Sequence, residues 1–503
     1  MNFFDGSIPP GTLALLGICL AIALGFEFVN GFHDTANAVA TVIYTKSLRP
    51  GVAVVWSGIM NLIGVLTGGT AVAFGIVHLL PVDLLLNIGQ TAGLLMVLSL
   101  LLSAILWNIG TWYFGLPASS SHALIGSILG VGFASSLLSG NPGAGVNWDK
   151  AQQTGLSLLI SPLLGFVAAG LLLLLMKAIV RNPKLYQEPD GDTPPPWWIR
   201  GILFLTCTGV SLSHGSNDGQ KGIGLIMLIL IGLLPAQYAV NPALTPERTI
   251  AVLSAVRDAR TVLASFPDAS ETDARLAEAE ERLKAGPPIL SRSAEERKAV
   301  RASVLTADDA LSRYVKKHGA TLTESQRTVL KTANKAMQGV VDFVANWVVY
   351  AVALALGIGT TVGWKRIVVT VGEKIGKTHL TYAQGAAAEL VAMCTILAAD
   401  KLGLPVSTTH VLSSGVAGTM AANRSGLQTS TVRNIALAWV LTLPVTMLVS
   451  GTLFALTAGP MIRQSPPPPP VKRTRQAPLA TQKAPSPVPP GREIVQNDWP
   501  RET

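Results

Sequence analysis

A short polar pattern occurs twice in the chain, as NGFHDTAN at residues 30–37 and as HGSNDGQK at residues 214–221. Each copy places an aspartate, Asp34 or Asp218, near the middle of a long apolar segment. An ionisable side chain at membrane depth is energetically expensive and is a functional candidate by default. The pattern therefore predicts a duplicated membrane protein in which the two aspartates occupy equivalent positions.

The composition supports a membrane protein. Of the 503 residues, 49% are hydrophobic and only 13% are charged, whereas a soluble domain carries about 25% charged residues. The charges are also uneven, because 29 of the 67 lie within residues 241–340. The rest of the chain carries too few charges for a water-facing surface, which argues against a soluble globular enzyme and for a polytopic membrane protein.

Ten apolar segments are long enough, at about 20 residues, to cross a bilayer. They cover residues 11–43, 51–78, 91–116, 119–139, 153–176, 199–235, 341–363, 380–400, 405–422 and 434–458. Two of them, 11–43 and 199–235, exceed one crossing and contain a polar, glycine-containing interruption, which predicts broken helices.

The domain organisation follows from these segments. We assign residues 1–198 to a first transmembrane repeat, 199–235 to the start of a second, 236–340 to a soluble helical insert, 341–460 to the rest of the second repeat and 461–503 to a disordered Pro-rich tail. Within the insert, residues 271–284 and roughly 294–317 are rich in helix formers and predict an accessory helical hairpin.

The short loops predict the orientation in the membrane. With the N-terminus outside, the inside loops carry twelve Lys and Arg residues and the short outside loops carry two. This bias places both termini and the insert outside the cytoplasm. The positive charges of the insert do not contradict this orientation, because long loops are translocated largely regardless of charge.

A second repeated pattern is LPASSSH at residues 116–122 and LPVSTTH at residues 404–410. Each predicts a helix that opens after a proline, with free N–H groups and hydroxyl donors at its start. Two such starts converging on one point would bind a tetrahedral oxyanion. In the predicted topology the paired segments run in opposite directions, which indicates an all-α polytopic protein with an inverted-repeat transporter architecture and a site at the membrane midplane. Ordinary N-capping is the alternative for each start.

The candidate residues fall into three groups. The anion-binding candidates are Ser119, Ser120, Ser121, Ser407, Thr408 and Thr409, and the candidates for a coupling ion or proton are His33, Asp34, Asn37, Asn217, Asp218 and Lys221. The secondary candidates are Glu27, Asn30, His122, Glu389 and His410. Lys221 replaces Asn37 of the first copy, where its ammonium would neutralise Asp218 and compete with a bound cation.

The four motifs, in this order, resemble the inorganic phosphate transporter (PiT) family, and in particular its bacterial low-affinity, PitA-like branch. The resemblance covers nearly all of residues 11–458. It implies uptake of inorganic phosphate, with arsenate as a look-alike substrate, by cation symport across the bacterial inner membrane. It also implies that the two Ser/Thr-rich helix starts bind phosphate, that the Asp/Asn motifs bind the coupling ion, and that a homodimer can form.

The co-ion is the open question at this stage. PitA-like members are taken to carry a metal–phosphate complex with protons, which would need no resident cofactor and no fixed metal site. His33 and Lys221 depart from the sodium-coupled pattern and favour protons, because histidine titrates near physiological pH. Sodium coupling and a passive anion channel or receptor are the alternatives. We expect no enzymatic activity, because the chain shows no nucleophile–base arrangement or metal-ligand spacing.

Overall fold

The structure is a computed structural model that describes residues 8–77, 79, 91–140, 145–189 and 194–464. Within these ranges the regular secondary structure is helical, apart from one isolated β-bridge between Gly376 and Leu427. The helices are α1 (Pro10–Asp34), α2 (Ala36–Tyr44), α3 (Pro50–Thr67), α4 (Ala71–Val77), α5 (Thr91–Tyr113), α6 (Ser120–Leu138), α7 (Trp148–Ile179), α8 (Trp197–Leu233), α9 (Pro235–Tyr238), α10 (Pro246–Leu263), α11 (Ser270–Lys284), α12 (Ala294–His318), α13 (Glu324–Val341), α14 (Asn346–Thr360), α15 (Lys365–Val369), α16 (Tyr382–Lys401), α17 (Thr408–Asn423) and α18 (Thr429–Gln464). The first four residues of the predicted tail, 461–464, belong to the end of α18. The rest of the tail, from position 465 onward, lies outside the described residues.

Fewer helices than the ten predicted segments meet the length and hydropathy expected of a membrane span. Seven do so in the described part of the chain, and an eighth is counted if α13 and α14 are taken together across their 81° bend. Each predicted segment nevertheless contains a helix. Two of the remaining helices explain the difference, because α17 has only 16 residues and α8 carries the polar stretch 214–221 in its middle.

The two predicted helix interruptions have different outcomes. The first segment is interrupted at Thr35, the single residue between α1 and α2, which keeps helical backbone angles. The second differs from the prediction, because α8 runs without a break through 37 residues, about 55 Å. Its glycines serve close packing rather than unwinding: the Cα atoms of Gly215 and Gly219 lie against Asn61 and Val65 of α3.

The packing of the helices shows the predicted inverted repeat. Helix α6 of the first half packs on α18 of the second half, and α17 packs on α7 in the equivalent way. Similarly, α3 packs on α8 as α14 packs on α1. Each half therefore buries its helices mainly against the other half, and the two repeats are interleaved rather than side by side.

The glycines of the two polar motifs occupy equivalent contacts across this symmetry. A Cβ atom on Gly31 would meet the backbone of α14 at Leu356, and a Cβ atom on Gly215 would meet the backbone of α3 at Asn61, both closer than real contacts allow. Small residues let membrane helices approach closely. These two positions therefore set how closely α1 approaches α14 and α8 approaches α3, three residues before Asp34 and Asp218.

The insert is larger than the predicted hairpin. It contains four helices, α10 to α13, around a core of its own that includes Val256, Leu276 and Leu311. The two predicted helices correspond to α11 and α12. The helices that the sequence reasoning missed, α10 and α13, begin at the capping residues Thr245 and Thr323, whose hydroxyls accept a backbone N–H of the first turn.

A charge network around the buried Glu280 and a buried arginine, Arg301, organise the insert. Burial raises the pKa of the Glu280 carboxyl, but hydrogen bonds from Arg257, Lys284 and Arg260 outweigh that effect and lower the pKa to about 2. Arg301 donates from Nη1 to the carbonyls of Ala239 at 3.1 Å and Val341 at 2.9 Å. Because these two carbonyls lie where the chain enters and leaves the insert, Arg301 holds its two ends together.

An ion pair connects the insert with the first repeat. Lys316 of α12 lies 2.8 Å from Asp149 at the start of α7. The sequence places the loop before α7 and the insert on the same side of the membrane, and this contact agrees with that relative placement.

The Gly215 contact yields a test of the interleaved packing. We expect Gly215→Ala to reduce the thermal stability of the protein, because overpacking a rigid backbone contact costs about 1–3 kcal/mol. Gly201→Ala on the same helix is the matched control, since a Cβ atom there meets nothing within 4 Å. The measurement is the melting temperature of the two variants in detergent, and equal melting temperatures would contradict the packing described here.

Candidate functional site

The two Ser/Thr-rich motifs form the helix starts that the sequence predicts. Ser119 precedes α6 and accepts the N–H of His122 on its hydroxyl at 3.1 Å. Ser407 precedes α17 and accepts the N–H of His410 at the same distance. These two serines therefore act as N-caps here, and the hydroxyls that project from the first turns belong to the residues after them.

The two helix starts converge on the carboxylate of Asp34. Ser120 Oγ donates to Oδ2 of Asp34 and Thr409 Oγ1 donates to Oδ1, both at 2.8 Å. Ser120 also lies 3.5 Å from Oδ2 of Asp218, between the two carboxylates. The predicted anion-binding hydroxyls and the predicted aspartates thus form one cluster.

Lys221 joins Asp218 to the first helix start. Its ammonium lies 2.7 Å from Oδ1 of Asp218 and donates to Ser121 Oγ at 2.6 Å. Ser121 in turn donates to the carbonyl of Val406, just before the second start. The fully buried Lys221 therefore supplies a fixed positive charge both to a carboxylate and to the hydroxyls of the helix starts.

His214 belongs to the same cluster and was missed as a site residue by the sequence reasoning. Its Nε2 lies 3.5 Å from Oδ2 of Asp218 and 3.8 Å from Oδ2 of Asp34, while its Nδ1 contacts Asn61 Oδ1 at 3.0 Å. One ligand atom each from Asp34, His214 and Asp218 lie within 4.8 Å of one another, a geometry that suits a metal ion. The signal was present, because His214 aligns with the candidate Asn30 in the two polar motifs.

The remaining members of the first polar motif surround Asp34. His33 contacts Asp34 Oδ1 at 3.1 Å through Nδ1 and Thr111 Oγ1 at 3.0 Å through Nε2. Asn30 donates to Oδ2 of Asp218 at 3.4 Å. Asn37 donates to the hydroxyls of Thr408 and Thr409, at 3.2 and 3.0 Å, so it lies against the second helix start.

Asn217 and Glu389 do not join the cluster through hydrogen bonds. Asn217 donates to the carbonyl of Leu404 at 3.4 Å. Glu389 accepts hydrogen bonds from Thr41 and Thr206, which accounts for both of its carboxylate oxygens. The structure thus gives Glu389 a local role between helices, at a distance from the converging helix starts.

Glu27 differs from Glu389 in its surroundings. Its side chain is fully buried against Gly222, and neither carboxylate oxygen has a hydrogen-bond partner among the residues that the structure describes. The charged groups that act on it, Asp218, Lys221 and His214, all belong to the cluster on α8. A buried carboxylate without a hydrogen bond is costly when ionised, so Glu27 is a candidate proton carrier beside the cluster.

The two histidines that follow the helix starts contact each other. The rings of His122 and His410 lie 4.4 Å apart, and His410 stacks on Trp439 at 4.0 Å. Trp439 donates from Nε1 to the carbonyl of Pro117 at 2.8 Å. This aromatic stack holds the two helix starts together on the side away from the carboxylates.

The whole site is enclosed. No predicted site residue is more than 6% exposed, and Asp218, Lys221 and Glu27 are fully buried. An ion that binds at the helix starts therefore needs a conformational change to reach them from either side.

Comparison with known proteins identifies the family. A model of the phosphate transporter family matches residues 30–450. The chain belongs to the phosphate transporter family. It is 43% identical over 486 residues to the low-affinity inorganic phosphate transporter PitA of Escherichia coli (strain K12), over 88% of this chain and 96% of that protein. It is 42% identical over 495 residues to PitB of the same strain, over 90% of this chain and 98% of that protein.

A solved structure supports the fold of this phosphate transporter. A sodium-dependent phosphate transporter superposes with a TM-score of 0.51, over 88% of this chain and 98% of that chain, at 20% sequence identity. Family membership confirms that the chain is a PitA-like phosphate transporter rather than an enzyme. Its several candidate membrane spans and its bacterial relatives support a multi-span protein of the inner membrane.

The geometry of the helix starts predicts the effect of removing their hydroxyls. We expect the double variant Ser120→Ala/Thr409→Val to raise the phosphate concentration for half-maximal uptake about thirtyfold, because two hydrogen bonds worth about 1 kcal/mol each are lost and about 1.4 kcal/mol is a factor of ten. Ser127→Ala is the matched control, since this buried hydroxyl on α6 donates to the Ala123 carbonyl of its own helix. An unchanged half-maximal concentration in the double variant would argue against phosphate binding at the helix starts.

Proposed function

We propose that this transporter imports inorganic phosphate by proton symport, through alternating access around the enclosed cluster. The observation that carries the proposal is that the Asp34 carboxylate accepts hydrogen bonds from both helix starts, through Ser120 and Thr409. These hydroxyls are the same donors that phosphate would use. Binding of the substrate and the charge state of Asp34 are therefore coupled at one place.

The coupling follows from competition. An ionised Asp34 both occupies the donors and repels an incoming anion, so phosphate binds best when a proton neutralises the carboxylate. Phosphate in turn raises the affinity for that proton by the same factor, because coupling between two binding events is reciprocal. After phosphate and the proton have left, Asp34 would be ionised and would accept hydrogen bonds from both helix starts. In this state the substrate-free transporter would return to its outward-open conformation.

The fixed charge of Lys221 favours protons over sodium as the co-ion. Its ammonium is 2.7 Å from Asp218, in the position of the second motif where a sodium ion would otherwise neutralise the carboxylate. Two further groups can hold protons beside this pair. His214 faces both aspartates, and the buried carboxylate oxygens of Glu27 accept no hydrogen bond from the described part of the chain.

We further propose that phosphate travels as a complex with a divalent metal ion. The metal would travel as part of the substrate, bound by the imidazole of His214 and by Oδ2 of Asp218, while Lys221 pairs with Oδ1, the proton stays on Asp34 and the helix starts bind the phosphate oxygens. Carboxylate and imidazole ligands suit such ions. Arsenate, which is also a tetrahedral oxyanion, would use the same donors. The chain needs no resident cofactor for this cycle.

The orientation that the charge bias predicts completes the proposal. With the N-terminus outside, phosphate and its co-ions enter from the outer face and leave to the cytoplasm, and the insert lies on the outer side. The ion pair between Lys316 and Asp149 supports the placement of the insert beside the loop before α7. A passive channel is disfavoured, because the binding residues are enclosed. The homodimer stays a prediction.

Neutralising Asp34 tests the coupling. In proteoliposomes, we expect Asp34→Asn to retain exchange of external for internal phosphate and to lose accumulation driven by a pH gradient, because the amide keeps the shape of the protonated side chain and carries no titratable proton. Retained exchange would show that the variant is folded.

The control for this experiment is Asp149→Asn, which removes an exposed carboxylate outside the cluster and should accumulate phosphate as the unmodified protein does. Normal pH-driven accumulation by Asp34→Asn would overturn the proposed role of this carboxylate.

A further inference from the structure

A surface cavity whose lining contains no predicted site residue lies where the end of α5 meets α15. Its volume is about 620 Å³, and it is open to the surface. Aromatic side chains and the cationic residues Lys365, Arg366 and Lys374 line it; the aromatic side chains are Trp112, Tyr113, Phe114 and Trp364. Neither the aspartate cluster nor the helix starts contribute to this cavity.

Within the part of the chain that the structure describes, the cations of the cavity form no ion pair with a carboxylate. Arg366 donates to the carbonyl of Tyr113 at 2.6 Å, and its guanidinium lies 5.1 Å from the ring of Trp112. Lys365 and Lys374 are exposed, and neither ammonium has an ion-pair partner within the residues that the structure describes. The cavity therefore combines aromatic side chains with positive charges that no described carboxylate pairs with. This combination suits the binding of an anion.

Two exposed apolar stripes lead into the cavity. On α5, side chains at positions 102, 106, 109 and 113 are 40–60% exposed, and on α14 and just after it those at positions 350, 354, 358 and 362 are 47–59% exposed. Spacings of three and four residues place each set on one helix face. In a membrane protein such faces contact acyl chains, and both stripes end at residues beside the cavity.

We propose that this cavity binds the headgroup of an anionic phospholipid, whose acyl chains lie along the stripes of α5 and α14. The phosphodiester would lie between Lys365 and Lys374, and Trp112 and Tyr113 are the residue types that favour the membrane–water interface. The apolar stripes run directly into the basic cavity. This arrangement favours a lipid over a free anion, because a free anion makes no favourable contacts with exposed apolar helix faces.

The lipid site is connected to the start of α6. Thr370 donates to the carbonyl of Gly115 at 2.7 Å, and Trp112 donates from Nε1 to the carbonyl of Gly363 at 2.7 Å. Gly115 lies only five residues before Ser120 in the chain. A bound headgroup therefore stabilises the connection that holds the first helix start, although it contacts no residue of the substrate site.

The test compares lipids and variants of the full-length protein. Purified protein in detergent is titrated with phosphatidylglycerol or phosphatidylcholine of the same acyl chains, and bound lipid and melting temperature are measured by native mass spectrometry and thermal unfolding. The variant is Lys365→Gln/Lys374→Gln. The matched control is Arg200→Gln/Arg433→Gln, which removes two exposed positive charges predicted on the same side of the membrane and outside the cavity.

We expect phosphatidylglycerol to bind and stabilise the unmodified protein and the arginine control more than phosphatidylcholine does. The lysine variant should lose about thirtyfold in affinity for phosphatidylglycerol, since each of the two basic residues removed contributes about 1 kcal/mol near an anionic lipid surface and about 1.4 kcal/mol is a factor of ten. Equal affinity of the lysine variant and the control would overturn the proposal. So would a lysine-dependent stabilisation by inorganic phosphate alone that equals the effect of the lipid, because the ligand would then be a free anion.

Discussion

The hydrogen bonds from two opposed helix starts to one carboxylate, that of Asp34, are the interaction on which the rest of the structure depends. Ser120 and Thr409 come from different repeats, and both reach Asp34 at 2.8 Å. This convergence requires that the repeats are interleaved, with α6 packed on α18 and α17 on α7. It also brings the donors that suit an oxyanion next to groups that can carry a proton, which is the arrangement that a symporter needs.

The second aspartate has a different environment from the first, although the motifs are equivalent. Asp34 is held by hydroxyls and His33, whereas Asp218 is paired with the ammonium of Lys221. In the proposed cycle this asymmetry gives the two carboxylates different tasks. Asp218 is paired with Lys221, and Asp34 is the carboxylate whose charge would change when phosphate binds.

The sequence predicts the convergence of the motifs because both patterns are repeated and each repeat carries the same chemistry. The sequence reasoning missed His214, although this residue aligns with Asn30 and lies one helical turn before Asp218. Its contacts with Asp34 and Asn61 come from helix packing, which the spacing along the chain does not show. The sequence reasoning also missed the continuity of α8. Glycines in a polar stretch predict a helix break, but the glycines of α8 allow close packing against neighbouring helices. In the insert, Thr245 and Thr323 marked two further helix starts that composition alone did not reveal.

The most direct test of the account is phosphate uptake into proteoliposomes with a pH gradient and a sodium gradient imposed separately. Because Lys221 already neutralises Asp218 and Asp34 competes with phosphate for the same hydroxyls, the account predicts accumulation driven by the pH gradient alone. Accumulation driven only by the sodium gradient would contradict it, and would mean that a sodium ion binds beside Lys221.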